Sequence, residues 1–314
     1  MSIALVCPGQ GSQSVGMLAA FAARYAEVGE AYAQASQALG FDLWELVAKG
    51  PPQRLNSTEI TQPAMLVADV VTARIWRREG GAAWSAVAGH SLGEFAALVC
   101  AEVLQFEDAV RLVHFRGQAM QQAVPAGVGA MAAILGLDDA QIEQVCLESA
   151  QGEVVEAVNY NIPGQVVIAG HAAAVERAVT LARDRGAKRA QMLPISVPAH
   201  SSLMRGAASQ LEARLAQIEL RAPSCRYISA VDAAEHNEPA EIRATLVRQL
   251  ASPVRWSQTV QTLLQRASTL LESGPGKVLT SLNRRIDRAG ACFALEDPDS
   301  LAAALAATRA TAHA

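Results

Sequence analysis

No C-x-x-C pair occurs in the chain, and its five cysteines, Cys7, Cys100, Cys146, Cys225 and Cys292, are widely spaced. That spacing argues against a structural zinc site and against a disulfide scaffold, and it reads as free thiols in a reducing cytosol. Long blocks of one charge sign are missing as well. The 26 basic and 30 acidic residues leave a formal charge of −4, without the overall electrostatic footprint of a nucleic-acid binder. Long apolar runs are also lacking: the most apolar later stretch, residues 95–106, is too short to cross a bilayer and contains Glu102. The first nine residues have neither a basic start nor a small-residue cleavage site, so Ile3–Cys7 reads as a buried strand stopped by Pro8-Gly9. The expectation is a cytoplasmic protein with no membrane anchor and no metal.

What is present is a large supply of core. With 314 residues, 51% of them hydrophobic, the chain can fill one large domain with an insertion or two modest ones. After the first strand the pattern predicts a helix over residues 17–39, a second over 62–78 and a strand over 84–88. A turn follows at Gly89, and a helix over 106–124 closes before Pro125 and Gly127. This βα alternation is that of a parallel sheet. Between residues 127 and 194 the rhythm becomes β-α-β-β-α-β, the ferredoxin-like order. The α/β rhythm then resumes, with helices near 202–217, 240–250 and 256–266 and a strand over 269–272 that ends at Gly274-Pro275-Gly276. The alanine-rich tail after Leu301 reads as helix or fraying end. The predicted fold class is therefore α/β. A discontinuous large domain (1–126 and 195–314) carries the central parallel sheet, and a ferredoxin-like small domain (127–194) is inserted into it.

Gly89-His90-Ser91-Leu92-Gly93 fits a nucleophile elbow, in which small neighbours let a strand turn sharply into a helix and expose the serine oxygen. An apolar strand precedes it and an apolar helix follows, which places Ser91 at the carboxyl end of the sheet, where α/β folds put their sites. The other glycine-rich loop, Pro8-Gly9-Gln10-Gly11-Ser12-Gln13, lacks the third glycine of a dinucleotide loop and the lysine of a Walker loop. It reads equally as a structural turn or as a backbone donor to an oxyanion.

A serine hydroxyl needs a base. Of the six histidines, His114 falls in a helix, His313 in the tail, and His171 and His236 in solvated or capping positions. His90 adjoins the serine but should point away from it. His200, on the loop that rejoins the large domain, is left as the candidate base. Asp232, Glu235, Glu241 and Glu272 offer no distinctive third member, and a backbone carbonyl can orient a histidine equally well. Arg116 falls on the apolar stripe of its helix with no carboxylate at i±3 or i±4, unlike Arg111, which has Glu107 and Asp108. Arg116 must meet a distant acid, main-chain carbonyls or a substrate carboxylate.

Taken together, Pro8-Gly9-Gln10-Gly11-Ser12-Gln13, Gly89-His90-Ser91-Leu92-Gly93-Glu94, Arg116, Asn161-x-Pro163-Gly164-Gln165, Ser196-Val197-Pro198-Ala199-His200, Gln249 and Gly274-Pro275-Gly276-Lys277 resemble the malonyl-CoA:acyl carrier protein transacylases of bacterial fatty acid synthesis. The likeness runs from Ile3 to about residue 285. It implies a hydrolase-like α/β domain with a ferredoxin-like insertion, and malonyl transfer from coenzyme A to the phosphopantetheine thiol of acyl carrier protein. By the same resemblance Ser91 carries the malonyl ester and His200 is base, then acid. The N–H groups of Gln10 and Leu92 hold the oxyanion, Arg116 pairs with the malonate carboxylate, Gln249 orients His200 through its carbonyl, and Asn161 supports the site. No cofactor beyond the coenzyme A thioester substrate is implied, and a monomer is. Cys7 stands where the family usually has phenylalanine. The neighbouring alternatives are a serine thioesterase or esterase, and a non-catalytic carrier-docking scaffold. Lys188-Arg189 and Arg284-Arg285 are candidate basic docking residues for an acidic carrier.

Overall fold

The computed structural model describes residues 2–125 and 127–310. Position 126, the last residue assigned to the first segment of the large domain, lies outside the described residues, as do residues 311–314 with His313. Nine strands occur among the described residues: β1 (Ile3–Cys7), β2 (Trp84–Gly89), β3 (Gly129–Leu135), β4 (Val155–Ile162), β5 (Gln165–His171), β6 (Arg189–Met192), β7 (Arg226–Ile228), β8 (Thr269–Glu272) and β9 (Ala291–Ala294). They form two sheets. The first, in the order β7-β2-β1-β8-β9, is parallel throughout. The second, β4-β5-β3-β6, is antiparallel throughout, and its two helices, Asp139–Ala150 and Ala172–Asp184, complete the β-α-β-β-α-β order.

β1 lies at the middle of the parallel sheet and is buried on both faces, which is why it is apolar at every position. Ile3, Leu5 and Cys7 join the core that contains the helix Thr58–Arg78, while Ala4 and Val6 pack with Trp256 and Val260 on the opposite face. The small sheet has its own core, built from Ala132, Ile134, Val166, Ile168 and the two helices beside it.

Several elements depart from the sequence expectation. The single helix expected over 17–39 is two, Ala19–Ala22 and Ala26–Leu39, because Tyr25 takes an extended backbone that lets Phe21, Val28 and Tyr32 all reach the core. The helix expected from Gln62 begins a turn earlier, at Thr58. The helix expected over 202–217 opens as a 3-10 turn, Ser202–Met204, and continues as Arg205–Leu215. β7 and β9 were not anticipated. The tail beyond Leu301 is helical as far as it is described, within Pro298–Ala310.

One local device positions the site. Pro63 lies inside the helix Thr58–Arg78 and has no N–H to give the Glu59 carbonyl. His114 Nδ1 donates to that carbonyl at 2.9 Å instead, which ties this helix to Phe106–Gln122, the helix that carries Arg116. The two helices approach closely at Gly117, where an added Cβ would stand 2.5 Å from Glu59 Cα.

Candidate active site

β2 ends at Gly89, and the backbone turns at Ser91 with φ +53°, a left-handed conformation that costs a non-glycine residue about 1–3 kcal/mol. Both glycines of the turn are required by space. A Cβ on Gly89 would lie 2.0 Å from the Gly93 carbonyl carbon, and one on Gly93 would lie 2.0 Å from the Cys7 oxygen. The turn is fastened to the end of β1, since His90 N–H donates to Cys7 O at 3.0 Å. This brings the Pro8–Gln13 loop beside the serine, and Gln10, Ser91 and Leu92 line one pocket. Among the described residues, neither the Gln10 N–H nor the Leu92 N–H donates to a protein acceptor.

His200 reaches the same pocket from the loop after β6, again with a left-handed backbone (φ +68°). Its N–H donates to Leu250 O at 3.0 Å. Its Nδ1 lies 2.7 Å from Gln249 O. A carbonyl only accepts, so the proton is on Nδ1, and Nε2 is left with a lone pair facing Ser91 Oγ at 2.7 Å. That is the tautomer a general base requires. No carboxylate takes part: Glu272 caps the main-chain N–H groups of Leu279 and Thr280, and Asp232 pairs with His236 and Arg248.

Burial, followed by the nearby Arg116 charge, pushes the His200 imidazole down to about 3. The ring is then an unprotonated base across the neutral range, and protonation that disables it is deferred to lower pH. If His200 is the base for Ser91, kcat/KM for an acyl donor that carries no phosphate should stay level from neutrality down to about pH 5. An acid limb in kcat/KM centred on 6.5, the ordinary imidazole value, would contradict the assignment.

Arg116 is 1% exposed. The acid or main-chain carbonyls left open by its sequence position are not its partners. Nη1 donates to Gln62 Oε1 at 2.8 Å, and Nη2 donates to Gln249 Oε1 at 2.9 Å and to Ser91 Oγ at 3.3 Å. Nε has no partner among the described residues, and the guanidinium lies 5.5 Å from the Phe95 ring centre. Burial lowers its pKa to about 10, so it remains a cation at neutral pH. A buried cation with an unused donor, in contact with a candidate nucleophile, is built to receive an anion.

His90 is not bonded to Ser91, as expected of the residue beside it, although it lines the same pocket. Its Nε2 donates to Asn161 Oδ1 at 2.9 Å. Asn161 thus meets the site through His90, and β4, which carries it, is bridged to the large domain where Asn159 pairs with Val254. Sequence reasoning missed Gln62 and assigned no role to Glu94. Both are buried; Glu94 stands in an otherwise apolar helix, a contrast that was the available signal, whereas the helix of Gln62 buries Thr58, Thr61, Asp69 and Thr72 as well and gave none. No group of three or more His, Cys, Asp or Glu among the described residues has a metal-holding arrangement. No helix among them is long and apolar enough to cross a membrane.

A serine strained onto a strand-to-helix turn of an α/β fold, with an imidazole on its hydroxyl and unpaired N–H groups beside it, is the equipment of acyl transfer. Consistent with this, residues 4–281 match the family described as acyl transferase domain. Within it, the chain belongs to the malonyl CoA-acyl carrier protein transacylases. It is 54% identical over 303 residues to the malonyl CoA-acyl carrier protein transacylase of Escherichia coli strain K12, covering 96% of this chain and 98% of that one. An acyl carrier protein S-malonyltransferase from Vibrio cholerae superposes with a TM-score of 0.94 at 52% identity, over 97% of this chain and 100% of the other. A malonyl-transacylase solved in complex with its type II PKS acyl-carrier protein gives 0.96 at 49% identity, over 98% and 99%.

Proposed function

We propose that this chain moves the malonyl group from malonyl-CoA to the phosphopantetheine thiol of an acyl carrier protein through an ester on Ser91, supplying malonyl carrier protein for fatty acid synthesis. Ser91 Oγ attacks the thioester carbonyl while its proton passes to His200 Nε2. The Gln10 and Leu92 N–H groups receive the negative oxygen of the tetrahedral intermediate. As that intermediate collapses, the C–S bond breaks and His200 returns the proton to the departing coenzyme A thiolate. The carrier thiol then gives its proton to His200 and attacks the malonyl ester, and Ser91 leaves as its hydroxyl. Ester and thioester are exchanged at each step, so neither metal nor nucleotide enters the balance.

The observation that carries this reading is Arg116, a buried cation with a free donor 3.3 Å from Ser91 Oγ. A thioesterase that releases simple acids has no use for it. A docking scaffold would not need an imidazole held 2.7 Å from the serine with its lone pair aimed at the oxygen. Two sheets with separate cores support the division into a large domain (1–126 and 195–314) and an inserted small domain (127–194). Sheet register also supports a carrier-docking edge. Leu135 pairs with both Gln165 and Arg189, and Arg285 donates to Gln165 Oε1 at 3.1 Å, so both basic pairs lie at one end of the small sheet. The working environment is the cytoplasm and the working unit a monomer.

The test is kinetic pattern. With malonyl-CoA and carrier protein varied together, double-reciprocal plots should give parallel lines, the mark of an acyl-enzyme formed before the second substrate binds. Lines that converge would mean direct transfer within a ternary complex, and would overturn the ester.

A further inference from the structure

Glu94 is fully buried, the only charged residue in the helix Gly93–Cys100, and takes no part in the steps above. It accepts from Tyr227 Oη, from Ser229 Oγ at 3.1 Å and from Gln249 Nε2 at 3.0 Å. Gln249 in turn connects three parts of the site. Its Nε2 also donates to Ser91 O at 2.9 Å, its Oε1 accepts from Arg116 Nη2 at 2.9 Å, and its main-chain oxygen accepts from His200 Nδ1. A carboxylate and a carbonyl only accept, and a guanidinium only donates. One orientation of the Gln249 amide satisfies all of them, with NH2 toward Glu94 and Ser91 and oxygen toward Arg116.

We propose that Glu94 is a positioning residue for malonate recognition, whose negative charge, passed on through the Gln249 amide, keeps Arg116 turned to the Ser91 oxygen with its remaining donors free for the substrate carboxylate. This rests on the reading of Arg116 as the malonate clamp. No carboxylate touches Arg116 directly among the described residues, and Glu94 is the buried acid one amide away that favours its charged form. Burial raises the Glu94 carboxyl above its usual range, and its hydrogen-bond donors oppose that shift. His200 is held by the Gln249 main chain, so a turn of the Gln249 side chain leaves the base in place.

Glu94→Gln removes the charge at nearly constant shape and lets either end of the new amide face Gln249. The experiment is single-turnover acylation of Ser91, read by quenched intact mass, with malonyl-CoA and acetyl-CoA in parallel. Glu94→Gln should slow malonylation about tenfold and leave acetylation within about twofold. Equal slowing of both, or unchanged malonylation, would overturn the proposal. Glu94→Asp keeps a charged acceptor on the same helix position, one methylene shorter, and should hold the malonyl-to-acetyl ratio within about threefold of the parent. It decides the matter if Glu94→Gln does not fold, because loss of the ratio in Glu94→Asp would also overturn the proposal. Arg116→Ala, run alongside, separates the two levels. If it loses malonylation alone while Glu94→Gln keeps the ratio, the clamp stands and the role of Glu94 falls. If it loses both acyl groups equally, the clamp itself falls.

Discussion

Arg116→Ala should lower kcat/KM for malonyl-CoA about a thousandfold and leave turnover of acetyl-CoA level or higher. Two effects add for malonate. Its carboxylate must leave water for a pocket lined by Met120, Met131, Ile195 and Val197, and with the guanidinium gone nothing cationic replaces the hydration. The Oε1 atoms of Gln62 and Gln249, which now accept from Arg116, would face the substrate anion and repel it. Acetyl-CoA has no carboxylate and escapes both penalties, and it gains the space of the missing side chain. The sign of the difference between the two substrates is therefore the diagnostic. Steady-state rates with both thioesters measure it, and equal losses would refute the clamp.

Ser91→Ala should reduce transfer by at least about ten-thousandfold, the scale on which catalytic nucleophiles act. The substitution removes one hydroxyl and keeps Cβ, so the strained turn faces no new demand. His200 and Arg116 each lose one partner, but both retain others, His200 through Gln249 O and Arg116 through Gln62 and Gln249. The folded protein should persist with its pocket intact and bind malonyl-CoA. Comparable thermal melting with transfer abolished would place the loss in chemistry. Retention of more than a few per cent of the rate would show that the acyl group travels by another route.

How much of this was legible in sequence depended on the range of the signal. β1 and β8 have the limits their apolar runs predicted, because each is stopped by a glycine-containing turn at the position where pairing ends. The β-α-β-β-α-β order of the small sheet was readable for the same reason. β7 and β9 were not: they are three- and four-residue strands at the two edges of the sheet, too short for a period-2 pattern, and β7 begins with a charged arginine. Within the site, the turn at Ser91 is local, and its glycines announce it. The contact of His200 with Ser91 spans 109 positions, so His200 was reached only by setting aside the other histidines, and resemblance to a family then supplied its role. Arg116 was suspected from the lack of a nearby acid, but its partners come from helices 54 and 133 positions away. Glu94 stood in the quoted motif without a role, since only the arrival of Gln249, Tyr227 and Ser229 around it shows what a buried acid there can do.

The central claim is that Ser91 holds the malonyl group between donor and acceptor. The most direct measurement is the intact mass of the wild-type protein after incubation with malonyl-CoA alone, followed by peptide mapping. The account predicts a mass increase of one malonyl group, located on the peptide that contains Ser91, lost on addition of carrier protein and missing from Ser91→Ala. An unmodified wild-type protein, or an adduct on another residue that the carrier still discharges, would contradict it.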